Sequence, residues 1–252
     1  SVLDPRYPEV RKYLTDVYVE AKKAWGLDGF KLDFIDVWKP SPDNALYNED
    51  MDIPALQDAV DICMTEIMEQ LSAIKPDIML EFRQCYIGPH MKHFGNMFRV
   101  GDCAANYLKN RSSILDLRMM MGDQAVHSDM LMLAPSEVPE INAIQIISCM
   151  FGVLQYSGRM EEMTEELAEM SVFWLNFLKS HKSLLLEGRL EAYEPHLLYT
   201  WAKAASDSES IAIAYSADKC LVPDIRRITY LVNGAMSDRI LCELEGRYAL
   251  HI

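Results

Sequence analysis

Apolar residues recur at helical spacing from Glu9 to Trp25, through Val10, Leu14, Val17, Tyr18 and Ala21, and Gly26 closes the segment. A short apolar run from Phe30 to Ile35 follows and reads as a buried strand. The polar stretch from Trp38 to Asp52 contains prolines and is too long for a minimal connection, so it is a candidate substrate loop. A helix is expected from Ile53 to Ile74, where Pro76 stops it, and a strand from Ile78 to Phe82. Met97 to Val100 predicts another strand, Arg111 to Met121 a helix, and the segment ending at His127–Met132 a further strand. Val138 to Met150 reads as a helix, Phe151 to Tyr156 as a short strand, and Met160 to His181 as a long helix.

Alternation of strand and helix is the rhythm of a parallel sheet with crossover helices. A complete (β/α)8 barrel has eight such units, whereas about five are legible here. The expected fold class is therefore α/β, a partial TIM barrel over residues 1–188. Beyond Gly188 the segments shorten: Leu197–Ala202, Ser210–Tyr215, Arg227–Leu231 and Arg239–Leu244 are strand-like and separated by Asp, Ser, Asn and Gly. They predict a small antiparallel β-domain over residues 189–252. The chain opens on Ser1, and no earlier strand precedes the first helix, so it is expected to be the C-terminal part of a longer catalytic barrel protein.

Half of the 252 residues are apolar, enough for one large core or a core with a small satellite. The net charge of −14 argues against nucleic acid or an anionic membrane surface as partner. No run approaches the ~20 apolar residues of a membrane span. Cysteines 63, 85, 103, 149, 220 and 242 show no CxxC spacing, and most lie in apolar segments. Free thiols in a reducing compartment, the cytoplasm, are expected.

Two of the strands end on carboxylates. Gly29-Phe30-Lys31-Leu32-Asp33-Phe34 carries Asp33, and Phe98-Arg99-Val100-Gly101-Asp102 carries Asp102. The carboxyl ends of barrel strands are where substrate is met on a rigid scaffold, and a pair of carboxylates is what glycosidic cleavage requires. Alternation places Lys31 on the face of Asp33, and a neighbouring ammonium keeps a carboxylate ionised, which suits a nucleophile. A buried Lys–Asp ion pair is the competing structural account. Asp102 follows Arg99 and a glycine turn; it is a candidate general acid, or else a turn or helix cap. Glu81 ends the intervening strand, where it can bind a sugar hydroxyl or pair with Arg83 or Arg99, and Trp38 can stack on a sugar or pack its loop. Alternation also puts His127 and Asp129 on one face, a spacing shared with metal sites, but no further ligand stands near and no metal is expected. Nothing in the sequence calls for a cofactor: no GxGxxG, Walker loop or GxSxG occurs.

Gly26-Leu27-Asp28-Gly29-Phe30-Lys31-Leu32-Asp33-Phe34 resembles the nucleophile segment of the α-galactosidases of glycoside hydrolase family 36, the melibiases. Phe98-Arg99-Val100-Gly101-Asp102-Cys103 is similar to their acid/base segment, and one strand lies between the two, as it does in that family. Gln155-Tyr156-Ser157-Gly158-Arg159 and the helix through Phe177-Leu178-Lys179 are similar to its last barrel strand and final helix. The resemblance implies a retaining mechanism on an α-galactoside, with Asp33 as nucleophile, Asp102 as acid/base and carboxyls about 5–5.5 Å apart. It also implies Lys31 and Arg99 near the sugar. The family's acidic pair and aromatic residue that read galactose O4 and O6 belong to earlier strands that this chain lacks. An α-glucosidase or transglycosylase of the related family 31 type therefore remains open, as does a non-catalytic carbohydrate-binding or assembly subunit. The missing strands imply a partner, either a second copy in a homo-oligomer or the N-terminal half of the barrel.

Overall fold

The computed structural model describes the whole chain except residues 1, 40, 43, 45, 84–86, 224–227 and 245–252. Five strands form a parallel sheet in the order β1-β2-β3-β4-β5, with helices in the connections: part of an α/β barrel. The chain divides into two compact units, Ser1–Phe98 and Arg99–Ile252.

The first unit holds α1 (Pro8–Trp25), β1 (Gly29–Leu32), α2 (Leu56–Ile74), β2 (Met79–Arg83) and β3 (Met97–Arg99), which crosses into the second unit by one residue. Proline at its start, where its missing N–H costs nothing, and left-handed Gly26 at its end (φ +63°) delimit α1. Gly29 opens β1 because a Cβ there would lie 2.3 Å from the Met79 carbonyl oxygen. The two parallel strands approach at that point, with Lys31 opposite Glu81 and Leu32 opposite Phe82. Asn96 extends the ladder with its side chain, accepting from Leu80 N–H at 3.1 Å and donating to the Ile78 carbonyl at 3.0 Å. Phe82 and Phe98, both fully buried, pack 6.3 Å apart between centroids, and Cys63, Met64, Ile67 and Leu71 of α2 are buried as well. The loop after Trp38 is tied back to α1 where Arg11, itself buried, grips Asp52 bidentately at 2.9 and 2.6 Å.

The second unit continues with α3 (Tyr107–Met121), β4 (Ala125–Met132), α4 (Pro139–Ser148), β5 (Val153–Ser157), α5 (Glu165–Ser180) and α6 (Lys182–Glu187). Helix α3 starts four residues before the apolar pattern does, because Asn106 caps it by accepting from Lys109 N–H. Thr164 likewise starts α5, so the stretch from Met160 is a short 3-10 turn followed by a helix, not one long helix. Helix α4 is buried nearly all round, and its Asn142 holds both the N–H and the carbonyl of Ala134.

The C-terminal sheet differs from the expectation in two respects. Its strands are β6 (Arg189–Tyr193), β7 (Trp201–Ala205), β8 (Glu209–Ala214) and β10 (Ile228–Asn233), while β9 (Cys220–Leu221) and β11 (Leu241–Cys242) form a separate pair. First, β6 was not legible in the sequence, and the segment from Leu197 is a turn before β7 begins. Second, the sheet is mixed: β6-β7-β8 is antiparallel, but β10 runs parallel to β8. Arg227, expected to open that last strand, lies outside the described residues. Buried arginines of α3 join helix to sheet, since Arg111 donates to the Leu198 carbonyl and lies over the Tyr215 ring at 4.3 Å. Arg118 donates to the carbonyls of Phe151 and Leu185 at 2.6 and 3.0 Å.

Candidate active site

In the first unit, Asp33 is the residue immediately after β1. Its Oδ1 accepts from Arg83 Nε at 2.6 Å and from Phe34 N–H at 2.8 Å. Phe34 adopts a left-handed conformation (φ 55°), uncommon for a bulky residue, and the Arg83 guanidinium lies 5.2 Å from its ring centroid. The turn thus places the carboxylate at the strand's carboxyl end between a cation and a backbone donor. The Arg83 hydrogen bond, helped by the Phe34 N–H and by the charges of Arg83 and Lys31, holds the Asp33 carboxyl below the usual carboxylate range.

Lys31 was expected to be the cation that keeps Asp33 ionised. Its ammonium instead pairs with Glu81 at 3.3 Å, its partner in the parallel register, and acts on Asp33 only as a more distant charge. The same register, continued one step past Leu32–Phe82, brings Arg83 opposite Asp33. That step is the signal by which Arg83 is found, and it needs the strand pairing. Trp38 is half-buried, and its indole N–H donates to the Leu3 carbonyl at 2.9 Å, anchoring the N-terminal segment to the loop.

In the second unit, Arg99 is buried and reaches two carboxylates: Nη2 donates to Asp102 at 2.7 Å, and Nη1 donates to Asp129. Asp102 is exposed and does not cap α3, whose cap is Asn106. Asp129 is buried, and its second oxygen accepts from Cys103 N–H at 2.5 Å. Asn110, which sequence reasoning missed, clamps the Asp129 backbone on both sides, its Oδ1 accepting from Asp129 N–H at 3.0 Å and its Nδ2 donating to the carbonyl at 3.2 Å. An asparagine inside a helix carries no sequence signal for that role. Burial, with the nearby charge of Asp129, pushes the Cys103 thiol up to about 11, so it is neutral near pH 7.

His127 sits half-buried on β4, and its carbonyl accepts from Val100 N–H at 3.0 Å. The pairing of β4 with β5 shifts register between His127 and Met130, so simple alternation does not relate His127 to Asp129. The bulge and the contacts of Asp129 decide its environment instead. The described cysteines are all free: Cys63, Cys103 and Cys149 are buried, while Cys220 and Cys242 are exposed. Cys85 lies outside the described residues.

The solved structures most informative about this arrangement are glycosidases. The galactosidase domain of the α-galactosidase–sucrose kinase AgaSK matches 81% of this chain at 17% identity with a TM-score of 0.58. The α-galactosidase of Lactobacillus brevis matches 82% at 16% identity, also with a TM-score of 0.58. This chain has the fold of a part of the family 36 α-galactosidases. A variant of the family 36 enzyme AgaA from Geobacillus stearothermophilus, in complex with stachyose, matches 82% of the chain at 13% identity with a TM-score of 0.62. The chain spans 28–29% of the length of these proteins. No protein-family model and no curated protein sequence matches it. Asp33 stands on the parallel sheet directly after a strand.

Replacing Arg83 with methionine removes the guanidinium and keeps much of its apolar bulk. In the full-length protein the acidic limb of the pH–rate profile is expected to move up by about one unit, because Asp33 then loses the donor that favours its charged form. A limb that stays in place would mean that Arg83 does not set the ionisation of Asp33.

Proposed function

We propose that the chain is the C-terminal part of a retaining glycoside hydrolase that removes terminal α-galactosyl residues. The observation that carries the reading is Asp33, held ionised by Arg83 directly after a parallel strand of a family 36 fold. In the first step the Asp33 carboxylate attacks the anomeric carbon as the glycosidic C–O bond breaks, and Asp102 gives its proton to the leaving oxygen. In the second step water attacks the glycosyl ester, its proton passes to Asp102, and the Asp33 carboxylate is released.

Glu81, expected at a strand end, lies in the middle of β2 and is buried. We infer that it supports Lys31, its partner at 3.3 Å, which would meet sugar hydroxyls, with Trp38 and His127 as further substrate contacts. Arg99 acts on Asp102. We assign residues 1–188 to the catalytic barrel and 189–252 to a C-terminal β-domain, and place the protein in the cytoplasm. No helix among the described residues is long and apolar enough to cross a membrane. AgaA is described with raffinose and with stachyose, and oligosaccharides of this kind are the substrates we infer. Exposed apolar side chains on outer helices, among them Trp25 on α1 (75% exposed) and Phe173 on α5 (61%), support a partner that covers them. We assign that role to the remainder of the barrel in the full-length protein, with a second copy as the alternative.

A panel of nitrophenyl glycosides on the full-length protein tests the substrate, and NMR of the first-formed anomer tests the stereochemistry. The expected result is preference for the α-galactoside and release of α-galactose. Preference for the α-glucoside would move the protein to the related glucosidase activity, and a β-product would exclude double displacement.

A further inference from the structure

Asp129 holds residue 102 from two directions. One carboxylate oxygen binds Arg99, whose other terminal nitrogen binds the Asp102 carboxylate; the second oxygen takes the N–H of Cys103, the next residue in the chain. The arrangement runs from interior to surface: the Asp129 and Arg99 side chains are 4% and 6% exposed, whereas that of Asp102 is 75% exposed. Asn110 fixes the backbone of Asp129, and Lys109 Nζ reaches the Asp102 carbonyl at 3.2 Å. Arg99 Nε is buried and has no hydrogen-bond partner among the described residues.

We propose that Asp129 is a positioning residue for Asp102, which it orients and from which it withdraws part of the Arg99 charge. A lone arginine bonded to an acid/base carboxylate would favour the ionised form and deplete the proton donor. Dividing that guanidinium between two carboxylates lets Arg99 fix the direction of Asp102 while leaving it protonatable. Other charged or titratable groups in this part of the unit include Lys109 on α3 and the neutral Cys103 thiol, with Cys149, which acts on Cys103 and on Arg111, farther inside. Among the described residues, Asp129 is the buried carboxylate that pairs with Arg99 from the interior side. The inference rests on the reading of Asp102 as acid/base.

The test is Asp129→Asn in the full-length protein, with the pH profile of kcat/KM measured on an activated nitrophenyl galactoside and on an unactivated oligosaccharide. With the amide in place, Arg99 faces Asp102 alone. The basic limb is then expected to move down by about one unit or more. At neutral pH the oligosaccharide rate should fall several-fold further than the nitrophenyl rate. Asp129→Glu, which restores the charge, should bring the limb back toward its original position. An unmoved limb with equal losses on both substrates would reduce Asp129 to a structural role. If Asp129→Asn does not fold, Asn110→Ala takes its place: it releases the backbone of Asp129 and should move the limb in the same direction, and an unmoved limb there overturns the proposal. Failure of the underlying reading is separately visible, because Asp102→Ala would then depress both substrates equally.

Discussion

Asp33→Ala in the full-length protein is expected to lower turnover by roughly 10⁴-fold or more while leaving the fold intact. Loss of the proposed nucleophile would remove the covalent route. The carboxylate's contacts include Arg83 and the Phe34 N–H, at a strand end where its side chain is 38% exposed. Its removal opens no core cavity, but it takes a carboxylate from Arg83, whose side chain is only 8% exposed, so a loss of stability is expected alongside a retained fold. Azide supplied with an activated α-galactoside should restore product, as a glycosyl azide of inverted configuration, because a small anion can enter the space left by the carboxylate. Loss of activity without azide rescue, accompanied by loss of the folded state in circular dichroism, would identify Asp33 as a structural ion-pair partner of Arg83.

Asp102→Ala is expected to show a different pattern, dependent on the leaving group. General acid catalysis contributes typically 10²–10⁴-fold, and most of that applies where the departing oxygen needs a proton. Hydrolysis of an oligosaccharide should fall by about that factor, whereas formation of the glycosyl-enzyme from a dinitrophenyl galactoside should be little affected. Its breakdown then becomes slow, because water is no longer activated, so a burst of dinitrophenol should precede a low steady rate. Azide should accelerate the steady rate and give a product of retained configuration, the opposite of the Asp33 variant. A uniform loss with no burst would remove Asp102 from the acid/base role.

The elements of the barrel portion were legible because their signals are local. Helix α1 shows its period, its entry proline and its closing glycine within one stretch of chain. The apolar runs that became β2 and β3 were short and continuous, as strands buried on both faces are. Local reasoning also placed Asp33 and Asp102 just past strands. It failed where polar groups set the boundaries: the Asn106 and Thr164 caps moved two helix starts, and the fully polar-to-apolar mixture of β6 hid a strand. The parallel pairing of β10 with β8 was likewise invisible, because strand direction follows from the path of the chain and leaves no periodicity.

The carboxylates themselves follow the same division. By itself the sequence determined that two aspartates follow short strands, each with a basic residue two or three positions upstream; burial holds for β3, whereas in β1 only Leu32 is buried. Which cation touches which carboxylate was decided by the tertiary structure. Lys31 lies two residues from Asp33, yet parallel register gives it to Glu81 and brings Arg83, fifty positions away, to Asp33. Arg99 keeps its sequence neighbour Asp102, but it also binds Asp129, which lies beside a β-bulge that alternation does not foresee. The physical reason is one of range. Backbone geometry repeats over a few residues and can be read along the chain, whereas an ion pair depends on atoms within hydrogen-bond reach. Those are brought together only when strands from distant parts of the chain take up a particular register.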